Sequence, residues 1–267
     1  MKAVLTFFIY INLITIFPKQ SFSAEGIACW FPPSWKSKME KAENITNALS
    51  EKSGITIHPR IAKSYPEILT SFATDENNLV YVGSFVQAII KARGLGTTLV
   101  QSVDGKELYS GILVYPADAD PEAILRMTRE KIAYALGASS GESTAKAATE
   151  GKASIGTMSH TASVNAVKAG VAKGAVVKNW WWEANKGKFP GMVTYKIPAC
   201  SKEGNPDNVL TASHVLSRED KEKIISAAMQ SKNAFGADSI RTFHDDSLMF
   251  SLWLMKQGGI DPVTYSW

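Results

Sequence analysis

Apolar positions along this chain switch repeatedly between a period of two and a period near 3.6. Met39, Ala42, Ile45, Ala48 and Leu49 recur at helical spacing, and Gly54 closes that run. Before it, Gly26 to Phe31 reads as a short strand stopped by Pro32 and Pro33; after it, Ile55 to Ile61 alternates as a strand. Ser64, Pro66 and Glu67 then predict a helix start, with Ser64 as cap, Glu67 closing a capping box and Pro66 in the first turn. Leu79 to Val82 is a strand that Gly83 and Ser84 turn into a helix carrying Val86, Ile89 and Ile90, and Thr98 to Ser102 is the next strand.

The alternation continues through the middle of the chain. Leu108 to Tyr115 is apolar with Tyr109, Ser110 and Gly111 inside it, and a loop from Pro116 to Pro121 opens a new helix. Ile132 to Leu136 is a buried strand that leads through Gly137, Ala138 and the turn Ser139-Ser140-Gly141-Glu142-Ser143-Thr144 into an alanine-rich helix. Ala153 to Thr157 is a strand, Thr161 to Ala169 a helix, and Val176 to Trp182 a strand heavy in tryptophan. Met192 to Ile197 reads as a return crossing. Two helices follow, one capped by Ser217 with Asp220 and one holding Leu248, Met249, Leu252, Trp253 and Leu254. Strand and helix alternating in this way predict an α/β architecture of mainly parallel sheets. With crossings near Tyr109 and Met192, residues 113–198 form a lobe inserted into a lobe built from residues 25–112 and 199–267.

Composition narrows the picture. The chain has 267 residues, 45% hydrophobic and 20% charged, which excludes disorder and allows two cores. A net charge of +4 with scattered basic residues gives no nucleic-acid footprint. Lys2, the apolar run Ala3 to Phe17, Pro18 and the small residues Ser21, Ser23 and Ala24 read as a signal peptide spanning residues 1–24, with an uncleaved N-terminal anchor as the competing reading, so the mature protein is expected outside the cytoplasm. Cys29 and Cys200 fit one disulfide and fit two buried thiols equally well. His58, His160, His214 and His244 are far apart, so no metal site and no cofactor are expected.

Candidate chemistry concentrates where strands meet helices. Ser139, Ser140, Gly141, Ser143 and Thr144 form a hydroxyl-rich turn at a helix N-terminus, where amide donors and the helix dipole favour an anion. The competing reading is structural: Ser139 and Glu142 have capping-box spacing, and a carboxylate there opposes an anion. Glu142 would then face a cationic ligand group or point away from the cleft. Tyr65 and Ser84 lie in similar turns, and in open α/β sheets the ligand crevice sits at those carboxyl ends of strands. Tyr109 lies at the proposed crossing. His160 follows a strand, and a lone histidine is more often only structurally satisfied. An alternating strand would put Trp180 and Trp182 on one face and Trp181 on the other, as core or as a wall of the cleft. Neither Ser140 nor Ser143 makes GxSxG, and no Walker loop or dinucleotide fingerprint is present, so no enzyme is expected.

The order of these motifs resembles the periplasmic binding proteins of phosphate, phosphite and phosphonate ABC transporters, a branch of the type II periplasmic-binding fold. The marks are Trp30-Phe31-Pro32-Pro33, Leu49 to Ile55, Ser64-Tyr65-Pro66-Glu67-Ile68-Leu69, Tyr81-Val82-Gly83-Ser84-Phe85, Tyr109-Ser110-Gly111 and Ala138 to Ser143. The resemblance implies two lobes, each a mainly parallel sheet flanked by helices, joined by two crossing strands. It implies that Tyr65, Ser84 and the Ser139–Thr144 turn hold a small oxyanion, and that a monomeric binding protein delivers it to a membrane permease. The family turn usually reads Ser-Thr-Ser-Gly, whereas Gly141-Glu142 stands here; Ser154 lies near the place of an acidic residue; the triple tryptophan is not a general family feature. Other readings are a sensor module for a signalling partner, a binder of a zwitterionic or amine-bearing solute, and a secreted hydrolase using Ser140 or Ser143.

Overall fold

The computed structural model describes residues 26–267; the signal peptide read from residues 1–24 lies outside them. The chain enters through β1 (Ile27–Phe31), α1 (Met39–Ser53), β2 (Ile57–Ile61), α2 (Tyr65–Phe72), β3 (Asn78–Val82), α3 (Ser84–Ala92) and β4 (Gly96–Val103). It crosses at β5 (Leu108–Tyr109) and builds β6 (Gly111–Pro116), α4 (Pro121–Met127), β7 (Ile132–Ala135), α5 (Thr144–Ala148), β8 (Ile155–Thr157), α6 (His160–Lys168), β9 (Gly174–Lys178), α7 (Asn179–Asn185) and β10 (Met192–Tyr195). It returns at β11 (Asn205–Pro206) and ends with β12 (Val209–Ser213), α8 (Arg218–Met229), α9 (Lys232–Phe235), β13 (Ser239–Thr242) and α10 (Met249–Gln257).

These strands make a six-stranded sheet, β13-β4-β12-β3-β1-β2, and a five-stranded sheet, β10-β6-β9-β7-β8. β2, β1 and β3 pair in parallel, as do β8, β7 and β9; the antiparallel partners are strands next to the crossings, β12 and β6, and the edges β13 and β10. Both faces of each sheet are covered by helices, and strand alternation divides the side chains between them. On β3, Leu79 and Tyr81 enter the core under α1 and α8, whereas Val80 and Val82 enter the core under α2 and α3. On β9, Ala175 and Val177 face one core and Val176 the other.

The two sheets are tied by the short antiparallel pair β5–β11, where Asn205 faces Tyr109. The return therefore runs through Asn205–Pro206, while the first four residues of the expected crossing, Met192 to Ile197, are the edge strand β10. Helix α10 lies across both units: Met255 packs into the core of the first sheet and Leu254 into that of the second. Cys29 and Cys200 are free thiols buried in different cores.

One element differs from the expectation. The tryptophan run is not an extension of β9, which ends at Lys178; Asn179–Asn185 is helix α7. Lys178 already pairs with Gly111, and the main chain of Asn179 then turns to donate to Ser110 O at 3.0 Å. Trp182 is buried beside Phe189, Trp181 leans on His160, and Trp180 Nε1 donates to Leu108 O at 2.9 Å beside the hinge. Aromatic residues favour strands only where a pleated neighbour is free to receive them.

Candidate functional site

Turns at the carboxyl ends of strands from both sheets meet where Ser84 and Ser139 are hydrogen-bonded. From the first sheet, β2 runs into Ser64, whose hydroxyl accepts the Glu67 N–H at 3.4 Å. The Glu67 carboxylate closes the cap on the neighbouring Lys63 N–H at 2.6 Å. This places Tyr65 in the first turn of α2. β3 runs through Gly83 into Ser84, which opens α3 and is fully buried. Tyr109 comes from the hinge strand β5.

From the second sheet, β7 leads through Gly137 into the turn Ser139–Ser143. Gly137 has a φ of +70°, and a Cβ there would stand 2.2 Å from Tyr65 Cδ2, so the turn is packed directly on the Tyr65 ring. The turn is a single π-helical turn ahead of α5, a form common at functional sites. Ser139 makes no side-chain cap to this turn. Its hydroxyl instead accepts the Ser84 hydroxyl at 2.9 Å, and Ser84 shares a second hydrogen bond with the Tyr109 hydroxyl at 3.0 Å. Tyr65, Ser84, Tyr109 and Ser139, far apart in the chain, are thus brought together, with the two sheets joined hydroxyl to hydroxyl.

The other residues singled out from sequence divide into two groups. Thr144 Oγ1 donates to Ser139 O at 2.8 Å, and Gly141 lies so close to β7 that a Cβ would meet Ala135 O at 2.7 Å. The Gly141 N–H is taken by Ala138 O at 3.0 Å, so this glycine serves the close packing of the turn on its own strand. Ser140 is buried with its carbonyl against Gly111. Ser143 Oγ and His160 Nδ1, by contrast, are buried polar atoms with no hydrogen-bond partner among the described residues. Such atoms are uncommon in folded proteins.

Glu142 resolves the objection raised by its charge. It is fully buried, and its carboxylate accepts the Gly137 N–H at 2.8 Å, the Tyr265 hydroxyl and Trp267 Nε1 at 3.2 Å, with the Lys146 ammonium 3.1 Å away. It holds the turn and the segment carrying Trp267, whose ring stacks on Tyr65 at 6.3 Å.

The cradle is made of neutral donors. Burial, with the Asp207 charge adding to it, pushes the Tyr65 phenol up to about 12, and burial likewise raises Tyr109, so both keep their protons. Burial and the nearby Lys178 push His160 down to about 3, which leaves its imidazole neutral. Two charged residues beside Tyr109 carry no local sequence signal. Lys178 ends β9 and forms an ion pair with Asp207, which precedes β12. The rule that ligands meet strand ends would have found Lys178 had β9 not been extended through the tryptophans. Asp207 sits at the start of an antiparallel strand, where that rule gives no signal. Among the described residues, no group of three or more His, Cys, Asp or Glu is placed to hold a metal ion.

The comparisons with known proteins agree on fold. A profile of the family described as "ABC transporter, phosphonate, periplasmic substrate-binding protein" matches residues 30–248. No protein of curated function matches the sequence. The structure of PhnD1 from Prochlorococcus marinus in complex with methylphosphonate superposes with a TM-score of 0.66 at 13% identity, over 86% of this chain and 97% of that one. A binding component of a Pseudomonas aeruginosa ABC phosphonate transporter gives 0.65 at 16% identity, over 87% and 88%. A Xanthomonas citri protein bound to chloride gives 0.71 at 11% identity, over 87% and 97%. The two sheets, their helices and the crossing pair form a two-lobed type II periplasmic-binding fold.

Proposed function

Because the chain belongs to the family of periplasmic phosphonate-binding proteins of ABC transporters, we propose that its cleft captures a small oxyanion of the phosphonate, phosphite or phosphate class and carries it to a membrane permease. The observation that carries this reading is the direct bond between the Ser84 and Ser139 hydroxyls across the lobes. With Tyr65 and Tyr109 they form a set of protonated donors drawn from both lobes.

The mechanism follows from the exchange of these bonds. Opening about the β5–β11 hinge breaks the hydroxyl contacts between lobes. An oxyanion then enters, and its oxygens accept hydrogen bonds from Tyr65, Ser84, Tyr109 and Ser139. Ser143 Oγ and His160 Nδ1, unpartnered among the described residues, are the next groups for it to satisfy. Hydrogen bonds to a charged acceptor are roughly twice as strong as neutral ones, and closure strengthens them further by excluding water. The ligand is held and released unchanged. Residues 1–24 act as the export signal, and the mature chain works as a monomer.

A thermal-shift panel of methylphosphonate, phosphite, phosphate and sulfate tests the proposal. At a hundredfold excess over Kd, a ligand specific to the folded state stabilises it by about 2.7 kcal/mol. Ser84→Ala and Ser139→Ala should each shrink that shift. Absence of a shift with every oxyanion, or an undiminished shift in both variants, overturns the assignment.

A further inference from the structure

Beside the hydroxyl cradle, a charge pair joins the two lobes. Lys178 comes from the end of β9 and Asp207 from the segment between β11 and β12, and their side chains are only 22% and 23% exposed. The Lys178 ammonium lies 4.3 Å from the centre of the Tyr109 ring. Asp207 stands near the hydroxyl end of the same tyrosine: a Cβ on Gly83 would stand 2.9 Å from Asp207 Oδ1 and 3.2 Å from the Tyr109 hydroxyl. The Asp207 charge acts on both Tyr65 and Tyr109, and the Lys178 charge acts on His160. Asp207 is fixed through its main chain, since its N–H donates to Glu107 O and its carbonyl accepts from Gln101 Nε2, both at 2.9 Å.

This pair sets the sign of the field in a cradle that is otherwise neutral. Alone, Asp207 would place a fixed negative charge next to the hydroxyls. It would repel an oxyanion and attract a ligand substituent bearing an ammonium group. With Lys178 against it, the carboxylate is neutralised and its oxygen is engaged. An ammonium group would then meet the lysine and compete with it for one carboxylate.

We propose that Lys178 is a specificity-determining residue: by neutralising Asp207 it fits the cleft to oxyanions whose substituent is uncharged and disfavours those carrying an ammonium group. This inference rests on the oxyanion reading of the cleft and narrows its ligand class.

Calorimetric titration of the full chain with methylphosphonate, phosphite and 2-aminoethylphosphonate tests it, using Lys178→Met, Lys178→Arg, Asp207→Asn and the Lys178→Met/Asp207→Asn double variant. The wild type should prefer the uncharged-substituent ligands by about tenfold or more, the scale of one charge pair near a protein surface. Lys178→Met should weaken those ligands and shift the preference towards 2-aminoethylphosphonate. Lys178→Arg and the double variant should each return the preference to the wild-type side, which also shows that the site still folds. A preference ratio unmoved by Lys178→Met, or a wild type that favours 2-aminoethylphosphonate, overturns this role while the oxyanion reading stands. A wild type that binds none of the three ligands overturns both.

Discussion

Glu142 Oε2 accepts the backbone N–H of Gly137 at 2.8 Å, so a carboxylate that seemed to oppose an anion is instead the clasp of the Ser139–Ser143 turn. The same side chain takes the Tyr265 hydroxyl, Trp267 Nε1 and the Lys146 ammonium. Glu142→Ala strands the buried Gly137 N–H and removes the acceptor of the partly buried Tyr265 and Lys146 groups, and the expected loss of stability is about 3–5 kcal/mol. Glu142→Gln keeps the shape and loses the charge assistance, for about 1–3 kcal/mol. Urea denaturation of the two variants checks the ranking; equal, sub-kilocalorie effects would mean that the clasp is not formed in solution.

His160 gives a pH dependence with a definite sign. Burial and Lys178 lower it from 6.5 to about 3. Between those values the unfolded chain binds a proton that the folded chain refuses. The contribution to stability is therefore complete above pH 6.5 and is lost as the pH falls towards 3. Carboxylates also titrate in this window, so the informative quantity is the difference from His160→Gln. The wild type should lose stability more steeply on acidification, by up to about one proton in the linkage slope. Identical slopes would show that the imidazole is solvated in the folded state.

What could be read from the sequence was what local chemistry decides. Ser64 with Glu67, Gly83 with Ser84, and Ser217 with Asp220 announce helix starts through groups only a few residues apart, and the structure has helices at each. The strands leading into Ser84 and Ser139 were legible because their apolar runs are bounded by glycine. β12 and β13 were not read. Val209–Ser213 is buried at every position and shows no alternation, and Ser239–Thr242 is a short, largely exposed edge. The Lys178–Asp207 pair depends on two lobes meeting, which no spacing encodes. Trp180 to Trp182 misled because β-propensity reports packing against a neighbour, and β9 has used its neighbours by Lys178.

The two cysteines should be silent in the folded protein. Cys29 is fully buried and Cys200 nearly so, and burial raises both thiols above their ordinary value. The thiolate is the reactive form, so a maleimide reagent should label neither residue until the chain unfolds. A reducing agent should leave the melting temperature unchanged, since no bridge joins the two cores. Rapid labelling of native protein, read by intact mass, would contradict the burial of these side chains.

Gly137 separates backbone strain from ligand binding. Its φ of +70° disfavours any side chain, and alanine there should cost roughly 1–2 kcal/mol from the backbone alone. Gly170 has a φ of +73° with nothing within 4 Å of its would-be Cβ, so Gly170→Ala measures that strain without a collision. At Gly137 the added methyl lands 2.2 Å from Tyr65 Cδ2, and the ring must move. Tyr65 is held on its other contacts by Trp267, stacked at 6.3 Å, so the displacement shifts the phenol out of the hydroxyl set instead of being absorbed by empty space. Overpacking of this kind adds about 1–3 kcal/mol to the loss of stability. The two alanine variants should therefore both melt earlier, Gly137→Ala by more, but only Gly137→Ala should weaken oxyanion binding. Equal affinities in the two variants would place Tyr65 outside the ligand contact, whatever its effect on stability.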